Sequence, residues 1–190
     1  MAAPPTTPVA ADAWARLAAC GVPADLVQTV RAQYERVEPT LADAPMALRN
    51  FERFLAGARN PLSTAALFER DADALPNLLQ LLSTSQYLAD LLVRDQECYD
   101  LVRMTEGSPV AREARVEELL TEIEGLDNEP AVAAALRRAK QRETVRIAYG
   151  DIVRNQPVAV VARQISVLCD ALLEAAIAFL RRKLEPKFGV

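Results

Sequence analysis

The stretch PVAVVARQISVLCDALLEAAIAFLRRKLEP, residues 157–186, indicates the fold most directly. It begins and ends with proline and contains no glycine, as expected for one uninterrupted helix. Its apolar residues recur at steps of three and four, the period of a helix face packed against a core. That predicted face consists of Val161, Ile165, Leu168, Leu172, Ala175 and Phe179. A chain built around such a segment is predicted to be a helical bundle.

The same helical period continues towards the N-terminus, interrupted by proline and glycine. A second long helix is predicted from Pro130 to about Asn155, with a break or bend at Gly150. Asp12 and Ser63 are predicted caps of two shorter helices. We therefore predict an all-α bundle of roughly nine or ten helices with no sheet.

The predicted domain organisation is simple. Residues 1–9 are rich in proline, threonine and alanine and read as a flexible tail. Residues 10–190 then form the helical domain, with possible sub-bundles at 10–126 and 127–190. Gly125 closes the helix that precedes this internal boundary.

Composition supports helices and disfavours two classes of partner. Ala, Leu and Val carry most of the 51% hydrophobic residues, whereas aromatic residues make up only 5%. The net charge of −4 disfavours nucleic acids and anionic membranes as partners. The most apolar stretch, residues 171–180, is about half as long as a bilayer span, and no secretory signal precedes the first helix. We therefore expect a cytoplasmic protein that binds neither nucleic acid nor membrane.

The residue types needed for several kinds of catalysis are missing. The sequence has no histidine, so it lacks the commonest general base and zinc ligand. Cys20, Cys98 and Cys169 are far apart, have no metal-ligand spacing, and are predicted to be buried free thiols. Asp71 and Asp73 could hold magnesium, but no glycine-rich phosphate loop accompanies them, which favours a helix-start role.

A basic stripe is the candidate binding site. Arg138, Arg142 and Arg146 follow one another at steps of four residues on the second long helix. One interpretation is a salt-bridge seam with the acidic helix just upstream, which carries Glu113, Glu117, Glu118, Glu122 and Glu124. The other is a contact surface for another domain, a nucleotide phosphate or an acidic partner.

Three segments carry a family resemblance, in the order LLQLLSTSQYLADLLVRDQECYDLV (78–102), LRRAKQRETVRIAYGDIV (136–153) and RQISVLCDALLEAAI (163–177). They resemble the helical region upstream of a catalytic domain in glutamine synthetase adenylyltransferase, the bifunctional adenylyl-transferring and adenylyl-removing enzyme. NFERFL (50–55) fits the same resemblance. The chain departs from the family pattern at Gln96, where proline is common, at Ala139, usually aromatic, and at Thr144, often apolar.

The resemblance implies a scaffold or regulatory role in nitrogen metabolism rather than catalysis by this chain. The family's nucleotidyltransferase domains use a Gly-Ser/Gly-Gly region and a Ser-Asp-x-Asp motif that binds magnesium, with ATP as substrate. The chain has neither, so no catalytic or metal-binding residue and no cofactor is assigned to it. The implied partners are a downstream nucleotidyltransferase domain, glutamine synthetase and a nitrogen-signalling protein, with the chain as the N-terminal segment. A stand-alone helical protein-interaction module is the alternative.

Overall fold

The computed structural model describes residues 8–189, apart from the side chains of residues 8–12 and 187. Within this range the chain forms ten α-helices, one short 3-10 helix (Glu38–Thr40) and no strand, which confirms the predicted all-α fold. The helices are α1 (Pro8–Ala19), α2 (Ala24–Val37), α3 (Ala44–Ala56), α4 (Pro61–Arg70), α5 (Ala74–Thr84), α6 (Gln86–Arg94), α7 (Glu97–Thr105), α8 (Arg112–Ile123), α9 (Glu129–Ile152) and α10 (Val158–Phe188).

The first helix begins earlier than predicted. Residues 1–7 of the predicted tail lie outside the described residues, whereas Pro8 and Val9 already belong to α1. Asp12 is therefore an internal residue of α1 and not its cap. Proline is well tolerated in a first helical turn, where its missing N–H has no helical partner to lose.

Among the described residues, side-chain hydrogen bonds cap the starts of three helices. Asp43, Asn60 and Asn128 each accept a hydrogen bond from the backbone N–H three residues later, at 2.8, 3.0 and 2.8 Å. Each satisfies one of the N–H groups that a helix start leaves unpaired. Asn60 thus caps α4 in place of the predicted Ser63, whose own N–H donates this bond.

The described residues up to Met104 form one compact unit around α5. This helix is buried on nearly all sides, and its fully buried leucines are Leu75, Leu78, Leu79, Leu81 and Leu82. Helix α3 packs against α5, and Phe51 of α3 lies with its ring centroid 5.6 Å from that of Phe68 in α4. The uninterrupted apolar character of α5 therefore reflects a central position in the core.

The described residues from Thr105 onward form a second compact unit, in which α8, α9 and α10 pack together. Its core consists of Val116, Leu119, Ile123, Val132, Ala135, Ala139, Ala171, Ala175 and Phe179. The boundary at 104/105 lies before α8, whereas the predicted sub-bundles divided after it, at 126/127. Helix α8 belongs with α9 and α10 because its apolar stripe is buried against them.

The predicted apolar face of α10 is only partly buried. Leu168, Ala175 and Phe179 lie in the core, but Ile165 is half exposed. The reason is that α10 carries apolar residues on two sides. The predicted face was chosen by helical period alone, so it includes residues from both sides. No helix among residues 8–189 is long and apolar enough to cross a bilayer.

Candidate functional site

A buried polar network ties the three helices of the C-terminal unit together, and Arg146 is its centre. Its Nε donates to Glu143 Oε2 at 2.9 Å, its Nη2 to Gln164 Oε1 at 2.7 Å, and its Nη1 to the Ser108 carbonyl at 2.6 Å. Glu143 also accepts from Arg115 Nη2 of α8 at 2.7 Å. The network satisfies groups that would be costly to bury alone.

The loop before α8 is held by the same network and by a close backbone contact. Gln164 donates to the Val110 carbonyl at 3.1 Å and accepts from its N–H at 2.9 Å. Gly107 has a φ of +65°, and a Cβ built on it would lie 2.7 Å from Gly150 N. The α9 helix runs through Gly150 without the predicted break, and the Gly107 loop packs closely against its backbone at this residue.

The three arginines predicted as one stripe have different surroundings. Arg138 is exposed, Arg142 is partly exposed, and Arg146 is buried. In an α-helix, four residues advance one full turn plus about 40°. Arg146 follows Arg138 by eight residues, so it lies about 80° further around the helix axis. This rotation takes the side chain from solvent into the core. The Arg146 side chain therefore lies in the core of its own unit, whereas Arg138 faces solvent.

The other two arginines retain different roles. Arg142 Nη2 lies 2.9 Å from Oε2 of Glu122 in α8, as the salt-bridge interpretation of the stripe proposed. Arg138 forms no ion pair within residues 8–189, and it stays a predicted contact residue. The basic surface is thus smaller than the sequence indicated.

The N-terminal unit has a second polar cluster, and it joins NFERFL to the SQYLAD part of the first family-like segment. Asn50 Nδ2 donates to Gln86 Oε1 at 3.2 Å and to the Leu82 carbonyl at 3.3 Å. Asp90 Oδ1 accepts from Arg53 Nη1 at 2.8 Å and from Gln86 Nε2 at 3.0 Å. The polar residues of both segments therefore fix α3 against α6.

The Asp90 carboxyl in this cluster is expected to titrate below its ordinary value. The hydrogen bond from Arg53, followed by the one from Gln86, lowers its pKa from 3.8. Because the folded-state pKa is the lower one, the stabilisation is present above pH 3.8 and is lost as pH falls through the lowered pKa. A carboxyl-detected NMR titration would show this, and Arg53→Met should return the pKa towards 3.8.

A neighbouring arginine supplies the control for this titration. Arg94 acts on Asp90 only through its charge, and more weakly than Arg53. Arg94→Met should therefore raise the pKa of Asp90 by less than Arg53→Met does. Equal shifts in the two variants would show that the Arg53 hydrogen bond is not the main cause.

Each of the three positions that depart from the family pattern has a structural role in this fold. Gln96 donates through Nε2 to the Phe54 carbonyl, a bond that proline could not make. Ala139 lies in the C-terminal core, where an aromatic ring would need more space. Thr144 Oγ1 donates to the Lys140 carbonyl one turn earlier at 2.8 Å.

Asp71 and Asp73 lie at a helix start. Asp71 Oδ2 is 2.6 Å from Arg103 Nη1, and Asp71 Oδ1 accepts from the Asp73 N–H at 3.1 Å. Asp73 immediately precedes α5, although its side chain forms no capping bond. Both oxygens of Asp71 are thus used in internal contacts. The described part of the chain contains no group of three or more residues arranged to hold a metal ion.

The cysteines were predicted to be buried free thiols, and all three are free. Only Cys98 is buried, however, while Cys20 is intermediate and Cys169 is exposed. Sequence reasoning also missed Glu143 and Gln164 as network members. A signal existed, because Gln164 lies one turn before Leu168 on the buried face of α10.

Comparison with known proteins points to one family. The family model for glutamate-ammonia ligase adenylyltransferase matches residues 75–190. A bifunctional glutamine synthetase adenylyltransferase/adenylyl-removing enzyme of Pseudomonas aeruginosa is 27% identical over 80% of the chain. Enzymes of the same description from Rhodopseudomonas palustris and Mycolicibacterium smegmatis are 30% and 29% identical, over 85% and 64% of the chain.

The match covers most of this chain but little of those enzymes. It spans 16% of the first two relatives' length and 13% of the third. The matched family region contains α6, α7 and the whole C-terminal unit with its buried network. The chain belongs to the glutamate-ammonia ligase adenylyltransferase family.

Proposed function

We propose that the chain is a helical scaffold or regulatory segment of an enzyme that adenylylates and deadenylylates glutamine synthetase in response to nitrogen supply. The observation that carries this proposal is the family match over residues 75–190. The relatives' shared description as bifunctional enzymes acting on glutamine synthetase supports it. The chemistry would belong to a nucleotidyltransferase domain elsewhere in the polypeptide, with ATP and magnesium.

The scaffold role is supported by how the chain uses its polar residues. Arg115, Glu143, Arg146 and Gln164 are buried and bind one another or backbone groups. Such a network stabilises one arrangement of helices rather than offering groups to a substrate. Arg138, exposed on α9, is the proposed contact to glutamine synthetase or a nitrogen-signalling protein. The three free cysteines suit a reducing cytoplasm.

Deletion of residues 105–190, the whole C-terminal unit, from the native gene product tests this proposal. The fraction of glutamine synthetase that carries AMP, measured by mass spectrometry, should no longer follow nitrogen supply. Immunoblotting controls for the amount of the shortened protein. A modified fraction that follows nitrogen normally in the deletion strain would contradict the proposal.

The alternative, a stand-alone interaction module, makes a different prediction about the same deletion. Loss of such a module would leave the modification of glutamine synthetase intact. As a separate check, the purified 190-residue chain should transfer no AMP to glutamine synthetase when supplied with ATP and magnesium. Transfer by the chain alone would contradict both interpretations.

A further inference from the structure

Helix α10 has an apolar side that faces away from the core of its unit. Its members, together the outer face of α10, are Val158, Ile165, Cys169, Leu173, Ile177, Leu180, Leu184 and Phe188. The seven large side chains among them are between 44% and 81% exposed. At 100° per residue, all eight positions lie within an arc of about 140°. They therefore form one stripe rather than scattered exposed residues.

The outer face is distinct from the buried side of the same helix. Gln164, Leu168, Ala171, Ala175 and Phe179 occupy a different arc and pack towards α8 and α9. Between residues 165 and 180, the outer face carries no lysine, arginine or glutamate, and Asp170 lies at its edge. A solvated helix face would be rich in such residues.

The size of the outer face is that of an interface. Its exposed side chains leave an apolar area on the order of 700 Å², beyond the largest patches of about 300–600 Å² typical of monomers. One side of a standard protein interface buries about 800 Å². The helix is about 46 Å long, so the face can support an extended contact.

A pocket at the edge of the outer face offers a place for an anchoring side chain. It has a volume of 360 Å³, lies between α9 and α10, and includes Ile165 and Cys169 of the outer face. The remaining lining is mostly apolar, with Ile147, Leu168 and Leu172 among its residues. An aliphatic or aromatic side chain of a partner fits this chemistry.

We propose that the outer face of α10 is the docking surface for another domain of the same polypeptide, which presents an apolar surface with an anchoring aliphatic or aromatic side chain. This inference rests on the proposed function. The matched relatives are long enough to supply such a domain, because the matched region spans only 16% of the first two.

Pairing with a second copy is less favourable on charge grounds. Two α10 helices packed antiparallel about Leu172 would bring Arg163 of one copy near Arg181 of the other, because both arginines lie at the same edge of the outer face. A parallel pair would place Arg163 beside Arg163 and Arg181 beside Arg181. Both arrangements bring like charges together, which opposes association.

Cys169 provides a direct probe of the docking surface. Its reaction with a maleimide would be followed by mass spectrometry of the tryptic peptide 164–181, which contains no other cysteine. In the isolated 190-residue chain, exposed Cys169 should react rapidly, with buried Cys98 as the slow internal reference. In the native gene product, a covered Cys169 should react at least about tenfold more slowly.

A double variant and its control test whether the outer face causes this protection. Leu173→Glu with Ile177→Glu in the native gene product should restore rapid labelling of Cys169, because two buried carboxylates oppose docking. The same variant of the 190-residue chain should keep its melting temperature, because both side chains are at least half exposed. Leu62→Glu replaces a similarly exposed leucine of α4 and should leave Cys169 protected.

Three results would overturn the proposal. The first is equal labelling of Cys169 in the isolated chain and the native gene product. The second is protection in the isolated chain that increases with its concentration, which would identify a second copy as the occupant. The third is continued protection in the double variant. The proposed function can fail independently of the docking surface. If Cys169 is protected in a native protein that does not modify glutamine synthetase, the proposed function is contradicted but the docking surface is still supported.

Discussion

Replacing Arg146 with alanine should lower the unfolding free energy of the C-terminal unit by about 3–5 kcal/mol, because three hydrogen bonds of a buried guanidinium are lost together while Glu143 keeps its bond to Arg115. The guanidinium is almost inaccessible to solvent and binds Glu143, Gln164 and the Ser108 carbonyl. Its removal takes one hydrogen-bond donor from buried Gln164 and from the Ser108 carbonyl, and it opens a cavity beside α8 and α10. Both effects act against folding.

Urea unfolding of the 190-residue chain would measure this loss. Far-ultraviolet circular dichroism follows all helices, whereas the fluorescence of Trp14, the single tryptophan, reports on the N-terminal unit. The matched control is Arg138→Ala on the same helix, which should change the unfolding free energy by no more than about 0.5 kcal/mol. Similar losses in the two variants would show that Arg146 does not organise the core.

Replacing Gly107 with alanine should destabilise the same unit by about 2–4 kcal/mol, from backbone strain and steric overlap together. The positive φ of +65° is unfavourable for alanine. The new Cβ would also meet Gly150 N at 2.7 Å and the Arg146 carbonyl oxygen at 3.0 Å. Those are backbone atoms of α9, and they cannot move without disturbing the helix.

Gly125→Ala separates the two contributions. Gly125 has a similar φ of +77°, but no atom lies within 4 Å of its added Cβ. It should therefore cost only the strain of the left-handed conformation, about 1–2 kcal/mol. The difference between the two variants in urea unfolding measures the close contact with α9. Equal losses would mean that the backbone relieves this contact at no cost.

The two glycines also show how far local sequence reasoning reaches. Gly125 was predicted to close a helix, and both glycines follow one, at positive φ. Gly107 additionally allows the loop to touch α9 next to Gly150. That requirement comes from residues about forty positions away, so no local pattern could reveal it.

The arginine stripe of α9 likewise shows what spacing in the sequence can predict and what depends on tertiary packing. The spacing of Arg138, Arg142 and Arg146 placed them on one side of a helix, and α9 is indeed helical through all three. The spacing of the three arginines does not predict where the neighbouring helices lie around α9. The Arg142 bridge to Glu122 and the burial of Arg146 depend on that placement.

The sequence alone determined that the chain is helical, where most helices lie, and which family it resembles, because helix period, proline and glycine act over a few residues. Only the tertiary structure decided which side of each helix faces a core. Helix α10 is apolar on two sides, so its period predicted burial equally for Leu168, which is buried, and Ile165, which is half exposed. Packing against α8 and α9 covers one side and leaves the other open.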